Sequence, residues 1–329
     1  MSEVLHRLRR TAAALPDDEA AHRVYADALM EAGDPLGDFI AAQCTAPSLD
    51  VPGALWRRVA GPLRRFSDDV VVRRGLLREV HLRRLTPTEY QRLIGHPAWD
   101  TVRAVAFRRS RRARTLPAQL VTALLAHPVC GHVRDVGGLD FNTFVALTGQ
   151  PLALDVVGVE DDVVDFRRSA GTSLQLRTLG VCTTSPGSYR EWLLGAGRRV
   201  FESLETLVFY AWPYEELSFL EVAPARLTRL VGRRTESVRR EGRWHLMFEP
   251  LPGPAEWGVG QMLTRAEEAL ERHAHHFASI TLRVPDMGRA ATGHLVARAQ
   301  GVPVRVELQG RVPVERYDDT FRVGSARPP

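Results

Sequence analysis

Short apolar patterns recur along most of the chain. The pattern φ-x-x-φ-x-φ, in which φ is apolar, occurs in LREVHL, VRAVAF, LDVVGV, LRTLGV, LETLVF and FASITL, and more loosely in VRDVGGL, LTRLVG and PVRVEL. The central apolar residues of these segments are, in chain order, Val80, Val105, Val136, Val157, Leu179, Leu207, Leu230, Ile280 and Val306. All but one of the intervals lie between 21 and 31 residues, and the exception is 50. Because leucine-rich repeats have similar periods, the pattern predicts a series of short strands.

One repeat aligns without gaps. LIGHPAWDTVRAV (93–105) and LLAHPVCGHVRDV (124–136) share a leucine, His-Pro and Val-Arg-x-Val. His96 and His127 have equivalent places before a proline, so we interpret both as structural turn residues. Helix-like stretches lie between the predicted strands, at about 86–95, 115–126, 187–202 and 288–299. Strands that alternate with helices predict a parallel sheet.

The predicted fold class is therefore α/β. We expect an irregular leucine-rich-repeat-like solenoid over residues 76–311, with a parallel sheet on its concave face and helices outside. An ordinary α/β domain with a parallel sheet is the alternative. The interval of 50 residues predicts a hairpin insertion near 227–250, turning at Arg239-Arg240-Glu241-Gly242, and then a helix at about 260–277. Residues 312–329 lose the pattern and are expected to form a C-terminal tail.

The first 48 residues predict a small helical module. Apolar residues at helical spacing indicate helices at about 2–14, 19–32 and 36–43, separated by Pro16-Asp17-Asp18 and by Gly33-Asp34-Pro35. Arg23 and Asp27 are four residues apart on one helix and predict an ion pair. Residues 49–75 are expected to be a linker or capping segment.

The run LPDDEAAHRVYADALMEAGDPLGDFIAAQ resembles the bacterial repeat-companion domain. The matching residues are Pro16, Asp17, Arg23, Tyr25, Ala26, Asp27, Leu29, Glu31, Gly33, Asp34, Gly37, Phe39, Ile40 and Gln43. The chain departs from the family at Ala28, where tryptophan is usual. The resemblance covers about 30 of 329 residues. It implies that leucine-rich-type repeats follow, and it implies no known chemistry.

Composition narrows the chemistry. All 44 basic residues are arginine, so no phosphate-binding, Schiff-base or general-base lysine is available, and the net charge is +5. Cys44, Cys130 and Cys182 are too far apart for a paired zinc or disulfide motif. No hydrolase, metalloprotease or nucleotide-binding signature occurs. We therefore predict that the protein is not an enzyme and that it uses no cofactor and no metal.

The hydropathy of the chain predicts a cytoplasmic protein. No apolar run reaches the eighteen or so residues that a membrane helix needs. The start, MSEVLHRLRRTAAALPDD, carries charges throughout and has no apolar stretch of the kind found in secretory signals.

The predicted concave face is the candidate site. Because side chains alternate along a strand, residues beside the buried positions share one surface. These residues are Glu79, His81, Arg83, Arg108, Asp135, Glu160, Thr178, Tyr210, Trp212, Arg229, Arg233, Arg283, Arg305 and Glu307. Tyr210 and Trp212 are the candidate anchors, since aromatic residues dominate interface energetics. The mixed charges predict a protein partner, whose identity the sequence does not give.

An arginine run provides an alternative function. Arg108 is followed by Arg109, Arg111, Arg112 and Arg114, directly after a predicted strand. Such a run can neutralise the phosphates of nucleic acid or of an anionic surface. A solvated loop is the plainer interpretation, and an enzyme of unrecognised type is a remote third hypothesis.

Overall fold

The structure is a computed structural model that describes residues 3–108, 116–160, 174–182, 186–210, 215–249, 255–285 and 302–309. Within these ranges the protein is α/β, with ten α-helices and twelve strands. Neighbouring strands in the sheet are neighbours in the sequence, and most pairs are parallel. The predicted α/β class is therefore confirmed. The chain divides into two compact units, and the boundary falls between Val157 and Gly158.

The first unit begins with three helices: α1 (Glu3–Ala14), α2 (Glu19–Glu31) and α3 (Leu36–Thr45). Asp18 caps α2, since its carboxylate accepts hydrogen bonds from the first amides of the helix. Gly37 lets α3 cross α2 closely, because a Cβ at this position would lie 2.6 Å from the Ala26 carbonyl oxygen. The three helices agree with the sequence pattern. The predicted ion pair is wrong: Arg23 binds Glu19, at 2.5 Å, instead of Asp27.

The segment 49–75 is more ordered than the sequence predicts. It contains helix α4 (Gly53–Arg64) and strand β1 (Ser67–Arg73), which pairs antiparallel with β2 (Leu76–Leu82). The turn between the strands has φ values of 48° at Arg74 and 64° at Gly75. Gly75 packs against the N-terminal helices, and a Cβ there would lie 2.6 Å from Ile40. The hairpin therefore joins the helical module to the sheet.

The remaining elements of the first unit alternate between strand and helix. The strands are β3 (Ala104–Phe107) and β4 (Asp135–Leu139), followed by β5 (Val156–Glu160), within which the boundary between the units falls, and the helices are α5 (Pro87–Leu93), α6 (Ala118–Leu125) and α7 (Phe141–Thr148). Val80, Val105 and Val136 lie side by side in the parallel register and are fully buried. Before each short 3-10 helix, the Nδ1 atom of His96 or His127 accepts a backbone hydrogen bond two residues ahead. Their predicted role as turn residues is confirmed.

One buried arginine attaches the N-terminal module to the first unit's sheet. Arg78 on β2 donates to the carbonyl oxygens of Ala12 and Ala13, both at 2.9 Å, and lies 3.2 Å from Nε2 of His22. Burial, together with the charges of Arg103 and Arg74, lowers the pKa of Arg78 to about 10. The guanidinium is therefore charged at neutral pH, and it caps the negative end of α1.

The second unit continues the alternation. Its strands are β6 (Thr178–Cys182), β7 (Thr206–Phe209), β8 (Arg229–Val231), β9 (Thr235–Arg240), β10 (Arg243–Phe248), β11 (Phe277–Pro285) and β12 (Val304–Gln309), and its helices are α8 (Pro186–Leu194), α9 (Arg198–Ser203) and α10 (Ala255–His273). The hairpin β9–β10 is confirmed, and its turn has positive φ at Glu241 and Gly242. The core contains Leu179, Leu207 and Ile280, all fully buried.

Two predicted helices differ from the structure. The stretch 187–202 forms two helices, because the chain turns at Gly197, where a Cβ would lie 2.7 Å from the Trp192 ring. The helix predicted at 260–277 begins earlier and ends at His273, and Phe277 starts β11 instead. The predicted helix 288–299 and the predicted tail 312–329 lie outside the described residues.

Candidate functional site

The strands of the second unit carry charged side chains on the face opposite their buried residues. Leu246, Ile280 and their neighbours point into the core, so the alternate positions point to the other side. We call this second side the polar face. On it Arg283 and Glu307 occupy paired register positions of β11 and β12, and Glu249 directly follows β10.

Four charged residues of the polar face are linked by consecutive ion pairs, and we call them the charge ladder: Glu249, Arg283, Glu307 and Arg305. Arg283 on the middle strand, β11, links a glutamate on each side of it: its Nη1 lies 3.2 Å from Glu249, which follows β10, and its Nε lies 3.2 Å from Glu307 on β12. Arg305 Nε lies 3.4 Å from the second oxygen of Glu307. Arg234 approaches Glu249 to 3.8 Å from the other side. Both signs therefore alternate across three strands.

The ladder is accessible to solvent. The side chains of Glu249, Arg283 and Glu307 are about one-third exposed, and that of Arg305 is 78% exposed. Partial burial alone would lower the pKa of Arg283, but its hydrogen bonds to Glu249 and Glu307 outweigh that effect and raise it. Arg305 is thus the most exposed cation of the ladder, and its contact within the ladder is with Glu307.

Further polar pairs extend this face across the second unit. Arg229 on β8 donates to Glu236 on β9 at 2.6 Å. Nδ1 of His245 lies 2.8 Å from the hydroxyl of Ser279 on the adjacent strand. Thr178 stands opposite Thr206 in the register of β6 and β7. The polar face of the second unit is therefore rich in hydrogen-bonding groups that are already held in place.

The first unit also has polar side chains on its early strands. Nε2 of His81 lies within hydrogen-bonding distance, 2.8 Å, of the Glu79 carboxylate on the same strand, β2. Arg83 pairs with Glu89 and also donates to a backbone carbonyl. Arg108 lies 2.6 Å from Asp68 and is exposed. These predicted site residues are therefore engaged in local pairs.

Small residues separate the charged positions of the first unit. Asp135, predicted to be exposed, is only 8% exposed, and it lies in the register position next to Ala104. Ala106 stands beside Gly137 one step along. This part of the polar face is thus a narrow strip of small side chains, and it lacks the long paired charges of the ladder.

The other predicted site residues are dispersed. Glu160 and Arg233 are partly exposed. Tyr210 follows β7 and is only partly exposed, and burial and then the neighbouring Cys182 raise the pKa of its phenol. The second candidate anchor and four arginines of the run lie outside the described residues: Trp212, Arg109, Arg111, Arg112 and Arg114.

Sequence reasoning missed several members of the polar face: Glu236, His245, Glu249 and Ser279. The hairpin was predicted, but the outward alternation was not extended along its two strands. For Glu236 and His245, the alternate positions of TESVRR and RWHLMF carry that signal, because a residue between two buried neighbours points outward.

The described residues give no indication of a metal centre or of a membrane-spanning segment. Within them, no three His, Cys, Asp or Glu side chains are grouped so that they could hold a metal ion. In the same part of the chain, no helix combines the length and the apolar character required to span a bilayer. Comparison of the chain with family models, with curated proteins and with solved structures finds no match.

Proposed function

We propose that the protein is a non-catalytic scaffold that binds another protein through the polar face of a leucine-rich-repeat-like solenoid. The charge ladder of the second unit is the observation that carries this proposal. It holds two carboxylates and two guanidiniums together across three neighbouring strands, where solvent reaches all four side chains.

A recurring backbone pattern supports the repeat architecture. In the first unit, the amide of Arg103 donates to the carbonyl of Arg78, and the amide of Arg134 donates to the carbonyl of Arg103. In the second unit, Glu205 donates in the same way to Arg177. Each strand thus begins at the same height relative to the strand before it, as expected where similar units stack.

The ladder favours a protein partner over a polyanion. Glu249 and Glu307 would repel phosphate groups, and Arg283 is already neutralised by both of them. Charges of both signs instead match the mixed surface of another protein. Such exposed pairs contribute more to specificity and association rate than to affinity, so we expect apolar or aromatic contacts beside them to supply most of the binding energy.

The test compares two double variants of the full chain. Tagged wild-type protein, Arg283→Gln with Arg305→Gln, and Arg265→Gln with Arg272→Gln would each be incubated with host lysate, in nuclease-treated and untreated arms. The control pair removes the same charge from α10, on which Arg265 and Arg272 are exposed. A recovered protein would then be purified and its dissociation constant measured against all three.

We expect the ladder variant to weaken binding by about tenfold and the α10 variant to leave it within about twofold, since two exposed charge contacts are worth about that much. Equal affinity for all three proteins would reject the ladder as the interface. Recovery that depends on untreated nucleic acid would instead favour the arginine run 108–114 and reject the protein-binding proposal.

A further inference from the structure

A groove in the first unit lies apart from the residues of the charge ladder. It has a volume of about 730 Å³ and follows the outer side of α1, with His132 on its far wall. Val4, Arg7 and Arg10 line it from the helix. These residues recur at intervals of three, so they follow one side of the helix over several turns.

Two arginines of this groove are not held in an ion pair within the described part of the chain. Arg7 and Arg10 are exposed, and neither forms an ion pair with another described residue. Arg9, between them in sequence, points elsewhere and binds Asp100 at 2.9 Å. The same helix thus carries one neutralised arginine and two arginines that are available to an external anion.

Charged groups on every side leave an excess of positive charge. The cations are Arg7, Arg9, Arg10, Arg78 and Arg134, the carboxylates are those of Glu3 and Asp100, and two histidines, His6 and His132, complete the set. Burial, and then the charges of Arg10 and Arg134, lower the pKa of His132. An anion bound in the groove would offset that repulsion and would favour protonation of the imidazole.

We propose that this groove binds an acidic, amphipathic segment of a partner protein. Arg7 and Arg10 would pair with its carboxylates, while Val4, whose side chain is 55% exposed, would contact its apolar residues. The helix rises 1.5 Å per residue, so the lining from Glu3 to Ala14 extends for about 17 Å. A helical segment of about twelve residues has a matching length.

The apolar content separates this occupant from a simpler anion. A phosphate group would use the guanidiniums alone and would leave Val4 exposed, whereas an amphipathic segment covers both kinds of side chain. The groove and the ladder share no residue. Loss of peptide binding to the groove and loss of partner binding to the ladder can therefore be measured separately.

The test uses a fluorescent, acidic, amphipathic model peptide of about twelve residues, which pairs glutamates with leucines at helical spacing. Its affinity would be measured by anisotropy for the full chain, for Arg7→Gln with Arg10→Gln, and for Arg57→Gln with Arg92→Gln. The last pair removes the same charge from exposed positions on α4 and α5. We expect about a tenfold loss for the groove variant and less than a twofold change for the control.

Two further arms examine the chemistry of the groove. A peptide with glutamine in place of glutamate should bind at least tenfold more weakly, and its leucine-to-serine counterpart should also lose affinity. Binding of the acidic peptide should strengthen as the pH falls from about 7.5 to about 6, and His132→Gln should reduce this dependence.

Several results would overturn the proposal. They are absence of peptide binding at low salt, equal losses for the groove and control variants, or indifference to the leucine replacement. Displacement of the peptide by millimolar inorganic phosphate would assign the groove to a small oxyanion. A single-stranded oligonucleotide that binds more tightly than the peptide, with the same dependence on Arg7 and Arg10, would assign it to nucleic acid.

Discussion

Arginine has opposite structural roles in two regions of this molecule. Arg78 in the first unit is buried and is held by two helix carbonyls and a histidine, and no carboxylate among the described residues forms a hydrogen bond with it. Arg283 in the second unit is one-third exposed and lies between two glutamates. The first arginine joins two structural elements. The second belongs to an accessible surface that is already electrostatically satisfied.

The difference shows that pairing alone does not determine how much a charge contributes to stability. A buried group that loses its partner leaves desolvated atoms without hydrogen bonds, which costs more than the bond itself contributed. An exposed group that loses its partner regains water. We therefore expect the less conventional contact, Arg78 with backbone carbonyls, to matter more for folding than the complete ion pairs of the ladder.

Replacement of Arg78 should give the largest effect on stability. Arg78→Met retains the length of the side chain but removes every donor to Ala12, Ala13 and His22. We expect a loss of about 3 kcal/mol in the free energy of unfolding, because three buried acceptors lose their hydrogen bonds. Chemical denaturation would measure the loss, and hydrogen exchange should show reduced protection in α1 and α2.

The matched control for this prediction is Arg92→Gln. Arg92 is exposed on α5, so its replacement should change the free energy of unfolding by less than about 0.5 kcal/mol. If Arg78→Met were no more destabilising than this control, the proposed attachment of the N-terminal helices through Arg78 would be wrong.

Protonation of His22 should also lower the free energy of unfolding, by as much as Arg78→Met or by less. Burial, and then the charges of Arg78 and Arg74, lower the pKa of this imidazole from 6.5 to about 4. The unfolded chain therefore binds a proton at a higher pH than the folded chain does. Stability from this group is complete above about pH 6.5 and is lost as the pH falls towards 4, by about 3 kcal/mol in total.

Urea denaturation between pH 7 and pH 4 would test this dependence. Carboxylates also titrate in that range, so the informative quantity is the difference between wild type and His22→Gln. We expect the variant to show the shallower decline. His6→Gln is the control, since His6 is exposed in the same unit. Parallel declines for wild type and His22→Gln would contradict the buried, neutral state of His22.

The sequence predicted the strands well because their signal is local. The apolar residues at the centres of the first eight patterns, from Val80 to Ile280, are buried where the alternation puts them. The hairpin at Glu241-Gly242 was also predictable from turn chemistry. The hairpin at Arg74-Gly75 has an equivalent turn, but its strand β1 begins with the polar run Ser67-Asp68-Asp69 and does not show the repeat pattern.

The candidate site was only partly predictable, because its contacts join residues distant in sequence. Arg283 and Glu307 were assigned to one surface by alternation, but their pairing depends on the register of β11 against β12. Glu249 joins them only through the parallel pairing of β10 with β11. The groove beside α1 had no sequence signal, since Arg10 and His132 are brought together by the fold.

Replacement of Arg283 should have the smallest effect on stability. Arg283→Gln removes a cation from between Glu249 and Glu307, but Arg234 and Arg305 remain beside these carboxylates. We expect a loss below about 1 kcal/mol, since each of the four side chains of the ladder is about one-third exposed or more. Urea denaturation at low and high salt would measure it, and salt should reduce the difference from wild type further.

A double-mutant cycle with Glu307→Gln gives the more informative quantity. If the two residues only satisfy each other at an accessible surface, their coupling energy should be about 0.5 kcal/mol and should decrease with added salt. A coupling energy above about 2 kcal/mol that did not respond to salt would show that the ladder stabilises the fold, as Arg78 is expected to do. In that case the charges would be needed to hold the strands together, and the proposed interface would lose its main support. A small coupling energy would instead mean that the charges of the ladder contribute little to the stability of the fold and are available to recognise a partner.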